Sequence, residues 1–298
     1  MKKSIQFIVL TCAVSWAVAG MAISQGMREA KGTFYLFFAM AYMLFPAICA
    51  IILQSIHNEK PFRNLNISFR LNWWFLVAGI LPIVCAFLAL GISLLFPNIS
   101  FSSGSEGLLS LLSEEQAEAA SQQMSQLPPV AFVLTQIAYS LAAGYTINAV
   151  FAFGEELGWR GYLLNELKGK KLLPASLIIG TVWGVWHFPL ILIGHNYPQH
   201  PVIGVGMMVI FCILLSPIMV YIVIKSKSVI TAAIFHGTLN AIGGISIMFI
   251  VGGNDLTNGT TGIAGFIALL LINLAFYLYD KYITKENIYT MVPDTMLK

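Results

Sequence analysis

Glu155 and Glu156 stand side by side in the stretch Phe153–Tyr162, FGEELGWRGY, and Arg160 follows four residues after the second carboxylate. Downstream, Trp183 and His187 share that four-residue spacing, and so do His236 and Asn240. Carboxylates and imidazoles move protons, and an imidazole or amide N–H can hold an oxyanion. Residues four apart share a helix face, so Glu156 and Arg160 can pair along one helix. Glu155 then points about 100° away and is free of that pair. One carboxylate neutralises the arginine and the other is left for chemistry. A carboxylate in a dry pocket holds a proton more tightly than one in water, which suits a general base. His236 and Asn240 stack on one face as hydrogen-bond donors. His187 precedes Pro189, which removes a helix hydrogen bond and favours a kink.

The rest of the chain gives these groups their meaning. Of 298 residues, 58% are hydrophobic and only 10% charged. Soluble domains carry about 25% charge, so the composition predicts a multi-pass membrane protein in a lipid bilayer. The expected fold class is all-α, a polytopic transmembrane bundle of about eight helices around a buried polar site. About 20 apolar residues cross a bilayer, which predicts spans near Ile5–Ser24, Thr33–Ile56, Trp73–Phe96, Leu172–Ile193, Val202–Ile224, Ser228–Val251 and Ile263–Tyr279. The region Pro129–Lys168 is too long for one span and is expected to break near Gly144 or Gly154. Lys2 and Lys3 precede the first span, which has signal-peptide features; its length favours a retained helix. The organisation read here is 1–128 for the N-terminal helices and outer loop, 129–251 for the core bearing the polar groups, and 252–298 for the last helix and tail.

Ionisable groups at membrane depth persist when paired, facing a polar cavity, or used. A single Glu–Arg pair is as often structural as functional, and a lone helical histidine usually packs. Three clusters on three helices favour a site. Lys2, Lys3, Lys60, Arg63, Arg70, Lys168, Lys170, Lys171, Lys225, Lys227, Lys281, Lys285 and Lys298 fall on one side of the predicted membrane, against Arg28 and Lys31 on the other. Both termini are therefore expected to be cytoplasmic. Counting from those lysines at helical rise puts Glu155 about 20 Å in, His187 about 24 Å, and His236 and Asn240 about 14 and 20 Å.

Other features are quieter. No basic run interleaved with aromatics is present, so nucleic acid is not an expected partner. Cys12, Cys49, Cys85 and Cys212 lie in apolar runs without CxxC spacing and read as small hydrophobic residues. His57, His195 and His200 read as solvated loop residues, and Asn148 and Asn273 as interhelical hydrogen-bonders. The acidic segment Pro97–Leu127 reads as a solvated loop, with a capping box at Ser113–Gln116. No internal repeat is evident.

Glu155-Glu156-Leu-Gly-Trp-Arg160, Trp183-Gly-Val-Trp-His187 and His236-Gly-Thr-Leu-Asn240 together resemble the EExxxR, aromatic-xxx-H and HxxxN/D pattern of the CAAX protease and bacteriocin-processing (CPBP, or Abi) membrane proteins. Phe is common where Trp183 stands. The resemblance covers about Pro129–Val251, and the family is similar to the type II CAAX prenyl endopeptidases. It implies an intramembrane endopeptidase of the bacterial plasma membrane, acting from the cytoplasmic side on a peptide or membrane-protein substrate. It further implies that Glu155 activates water with help from His187, that His236 and Asn240 hold the oxyanion, and that Glu156 and Arg160 keep the site in shape. The family is often labelled metalloprotease, so a divalent metal such as zinc is an alternative, with Glu155, His187 and His236 as ligands. Two other readings stay open: a non-catalytic peptide-binding or bacteriocin-immunity protein, and a proton- or ion-coupled transporter.

Overall fold

Long apolar stretches give helices nearly everywhere in the computed structural model, which describes residues 2–27, 33–103, 109, 118, 121–122, 128–290 and 292. The expected capping box, most of the acidic loop, Arg28, Lys31 and Lys298 lie outside the described residues. The helices are α1 (Lys3–Ser24), α2 (Thr33–Tyr42), α3 (Phe45–Ile56), α4 (Trp73–Ser93), α5 (Pro129–Tyr145), α6 (Ile147–Glu156), α7 (Leu172–Trp186), α8 (Phe188–Leu192), α9 (Pro201–Ser226), α10 (Val229–Ile242), α11 (Ile245–Met248) and α12 (Ile263–Leu278). Two short strands, Ser100–Phe101 and Ile250–Val251, pair antiparallel. The architecture is an all-α polytopic bundle.

Among the described residues six helical stretches are long and apolar enough to cross a membrane, and a seventh arises if α5 and α6 count as one span. One expected span, Leu172–Ile193, is divided by a turn. There α7 has fifteen residues, about 22 Å at helical rise and short of a hydrocarbon core of about 30 Å. Pro189 is the cause. Lacking an N–H, it cannot donate to Val185, and its ring crowds that carbonyl. The chain therefore turns at His187, where the backbone N–H reaches back only to Gly184.

The predicted break in the Pro129 region lies at Thr146, next to Gly144, with φ −126° and ψ −106°. α5 and α6 meet there at 50°. After Glu156 the helix widens into a π-helical segment, Leu157–Leu163, and continues to Glu166.

The helices that carry the polar groups touch through glycines. A Cβ on Gly237 would sit 2.8 Å from the Ala149 nitrogen, and one on Gly154 would sit 2.7 Å from the Met43 carbonyl oxygen. Asn148 donates to the Gly237 carbonyl at 3.1 Å, tying α6 to α10. Asn273 likewise bridges α12 to α9 through the Leu214 carbonyl. Gly180 and Gly184 seat α7 on α9. A Cβ on Gly180 would lie 2.6 Å from the Cys212 carbonyl oxygen, and one on Gly184 2.5 Å from the Val209 Cα. This is the small-xxx-small contact common between membrane helices. Gly180→Ala is expected to cost about 1–3 kcal/mol through overpacking against backbone. Gly206→Ala, on α9 with nothing within 4 Å of the new methyl, should change little. Paired thermal melts in detergent check this, and equal midpoints would show that α7 and α9 can spread at no cost.

The bundle has two distinct ends. Lys3 pairs with Glu59, Ser228 Oγ donates to the Ser68 carbonyl, Asn72 donates to the Ser226 carbonyl, and Lys225 pairs with Glu286. These contacts gather the N-terminus, the loop after α3, the start of α10 and the chain after α12 onto one basic face. The opposite face is built from loops 193–200 and 249–262. Asp255 accepts from the backbone nitrogens of Gln199 and His200, and His200 Nδ1 lies 2.6 Å from its carboxylate. Tyr197 Oη donates to the Thr261 carbonyl.

Candidate active site

α6 delivers the carboxylates, α7 the tryptophan and first histidine, and α10 the second histidine and asparagine. Glu155 and Glu156 are buried at 2% and 0% exposure, and Arg160 at 0%. Arg160 Nη1 lies 3.1 Å from Glu156 Oε2 and 3.2 Å from Oε1, and Nη2 donates to Ser216 Oγ at 2.8 Å. His236 Nδ1 lies 2.9 Å from Glu156 Oε1. Glu156 is thus held from two sides, by a cation on its own helix and an imidazole from α10.

Glu155 faces another way, as the helical period requires. Its Oε2 accepts from the Trp183 indole nitrogen at 2.6 Å, and it lines a cavity of about 1100 Å³. Trp183 is the hub of the arrangement. The Arg160 guanidinium lies 4.2 Å from its ring centroid, a cation–π distance. The rings of His187 and His236 flank it at 5.7 and 5.4 Å.

The break at His187 has a chemical result. Because the His187 backbone N–H bonds to Gly184, the Trp183 carbonyl can take the His187 side chain, whose Nδ1 lies 2.7 Å away. A carbonyl only accepts, so Nδ1 carries the proton. In the neutral ring Nε2 then presents a lone pair. His236 differs. Its Nδ1 faces a carboxylate, so Nε2 becomes a donor when the ring takes a second proton. Both histidines line the cavity, and so does Asn240, one turn beyond His236 and exposed to it.

The structure therefore places all six sequence-selected residues in one layer. Four of them, Glu155, His187, His236 and Asn240, are at the cavity wall, while Glu156 and Arg160 lie behind it. Sequence reading paired Trp183 with His187 but missed the Trp183 bond to Glu155, and it missed Ser216 entirely. The available signal for Ser216 was a hydroxyl beside Pro217 inside an apolar span. The three outlying histidines are not simply solvated: His57 Nε2 meets Gln6, His195 Nδ1 meets Tyr35 Oη, and His200 meets Asp255. Loop residues fold onto neighbouring backbone and side chains here, which composition does not reveal. Burial holds the His195 imidazole down to about 4.

The donor set does not fit a metal in this arrangement. Among the described residues no three His, Cys, Asp or Glu side chains gather as a ligand group. The cavity runs toward one end of the bundle. Its floor lies at Glu155, Cys212 and Leu215, and its wall climbs to Gln199, Gly252 and Asp255 on the face opposite the basic loops.

A bent, glycine-packed helical bundle with a buried carboxylate–histidine layer defines a polytopic membrane protein with a polar intramembrane site. Residues 136–242 match the family description "Type II CAAX prenyl endopeptidase Rce1-like", so the segment that builds the site is CAAX-protease-like. A curated relative, CAAX prenyl protease 2 of Methanococcus maripaludis, is 33% identical over 141 residues, which span 45% of this chain and 48% of the relative. The similarity thus covers about half the length of that relative.

Proposed function

We propose that this protein is a membrane-embedded endopeptidase that hydrolyses a peptide bond in a membrane-associated peptide or protein. The observation that carries the reading is Glu155 at the floor of the cavity, bonded to Trp183, with the two histidines of that layer at the wall. The CAAX-protease-like match of the segment supports it.

In this mechanism Glu155 takes a proton from a water as the water oxygen attacks the scissile carbonyl. His187 Nε2, its lone pair directed by the Nδ1 bond, accepts a hydrogen bond from that water and fixes its position. Negative charge develops on the carbonyl oxygen, where the Asn240 amide and the Nε2–H of doubly protonated His236 donate to it. Glu155 then returns the proton to the leaving amine, and the C–N bond breaks. Glu156 and Arg160 stay out of the exchange: they hold His236 and Trp183 in place.

The test is cleavage of quenched peptides, farnesylated CAAX peptides among them, by purified protein in detergent. His187→Ala is expected to slow cleavage by about 10²-fold, the lower end for a group assisting proton transfer. Equal rates for wild type and variant would remove His187 from the reaction. Cleavage abolished by a chelator and restored by zinc would replace the water-only scheme with a metal-bound one.

A further inference from the structure

From the charge layout and the cavity's direction we infer that the site is entered from the non-cytoplasmic side of the membrane. The substrate is then a peptide segment that emerges on that side. Of the sixteen lysines and arginines, Arg160 is buried in the site, and Arg28, Lys31 and Lys298 lie outside the described residues. The other twelve belong to the basic face, whose loops are tied together by the contacts of Lys3, Asn72, Lys225 and Ser228. Lysine- and arginine-rich loops stay in the cytoplasm.

The cavity turns its back on that face. Its lining takes nothing from the loop after α3, from the π-helical segment or from the chain between α9 and α10. Beneath Glu155 the packing is closed by Arg160, Glu156 and Ser216, all at 0% exposure. Upward, the wall runs past Asn240 and Gly244 to Gln199 and Gly253, each exposed. A passage lined by both apolar and polar side chains therefore connects the carboxylate with the face that the charge rule sets outside.

This deepens the peptidase reading by fixing the side from which peptide arrives, and its test needs no turnover, so the two can fail separately. Gly244 suits a cysteine probe: it lines the cavity, and a Cβ there meets nothing within 4 Å. Gly244→Cys and, on the basic face, Lys168→Cys are made in a full-length chain with Cys12, Cys49, Cys85 and Cys212 changed to Ala. Intact cells are treated with a charged, membrane-impermeant maleimide. Gly244→Cys is expected to react before permeabilisation and Lys168→Cys only after it. The native cysteines are buried or half-buried, so the same substitutions in the native background, read against wild type, serve if the cysteine-free chain does not accumulate. Reaction of Gly244→Cys only after permeabilisation, or at the same stage as Lys168→Cys, overturns the inference. So does a Gly244→Cys protein that reacts under neither condition, since the passage would then be closed.

Discussion

Glu155→Gln is expected to fold as the wild type does and to cleave peptide about 10⁴-fold more slowly, the upper end of what a positioned acid–base group contributes. Glutamine keeps the length of the side chain, and its amide oxygen can still accept from the Trp183 indole, which now donates to Oε2 at 2.6 Å. The cavity floor is thereby preserved. What is lost is a basic oxygen: an amide does not take the proton of an attacking water. The variant therefore separates chemistry from architecture, provided melting and cleavage are measured on the same preparation. A matching melt with undiminished cleavage would rule out Glu155 as the base.

Arg160→Met should act the other way, on stability. It removes the cation from a carboxylate at 0% exposure and leaves Glu156 with His236 as its remaining partner. Breaking a buried pair from one side costs about 3–5 kcal/mol, and His236, which meets only Oε1, does not replace a guanidinium that spans both oxygens. Ser216 Oγ loses its donor as well. Arg160→Lys keeps the charge but not the planar fork that reaches Glu156 and Ser216 together, nor the stack on Trp183; it should fall between Met and wild type. Denaturant titration in mixed micelles reads the series. If Arg160→Met is as stable as wild type, the pair does not hold the layer together.

How much of this was legible in the chain differs by residue. The six site candidates stood out because each is polar where lipid-soluble sequence surrounds it, and intramembrane polarity is costly. Helix spacing alone separated Glu155 from the Glu156–Arg160 pair. The spans were legible from hydropathy, with one exception, Leu172–Ile193, where length suggested a crossing and Pro189 broke it. The turn at His187 has a second effect that a sequence cannot display, since it frees the Trp183 carbonyl to fix the imidazole. Ser216 and the Trp183 indole stayed hidden for a related reason. Their partners are 56 and 28 residues away, and nothing local encodes such contacts. The direction of the cavity was hidden too, because depth counted from the lysines gives a level in the membrane but not the side that opens.

A cavity closed at one end is also an electrical object. A cavity above Glu155 that opens to water replaces part of the insulating thickness of the bilayer, so along that column the transmembrane voltage falls mainly across the dry layer below. Each elementary charge moved through the full potential exchanges about 2.3 kcal/mol per 100 mV. Arg160 and Glu156 lie in that layer 3.1 Å apart, and their opposite charges cancel. The field then exerts no net pull on the layer, only a torque on its dipole. Neutralising either partner would leave one charge in the steepest part of the field and make the packing of the site sensitive to membrane potential.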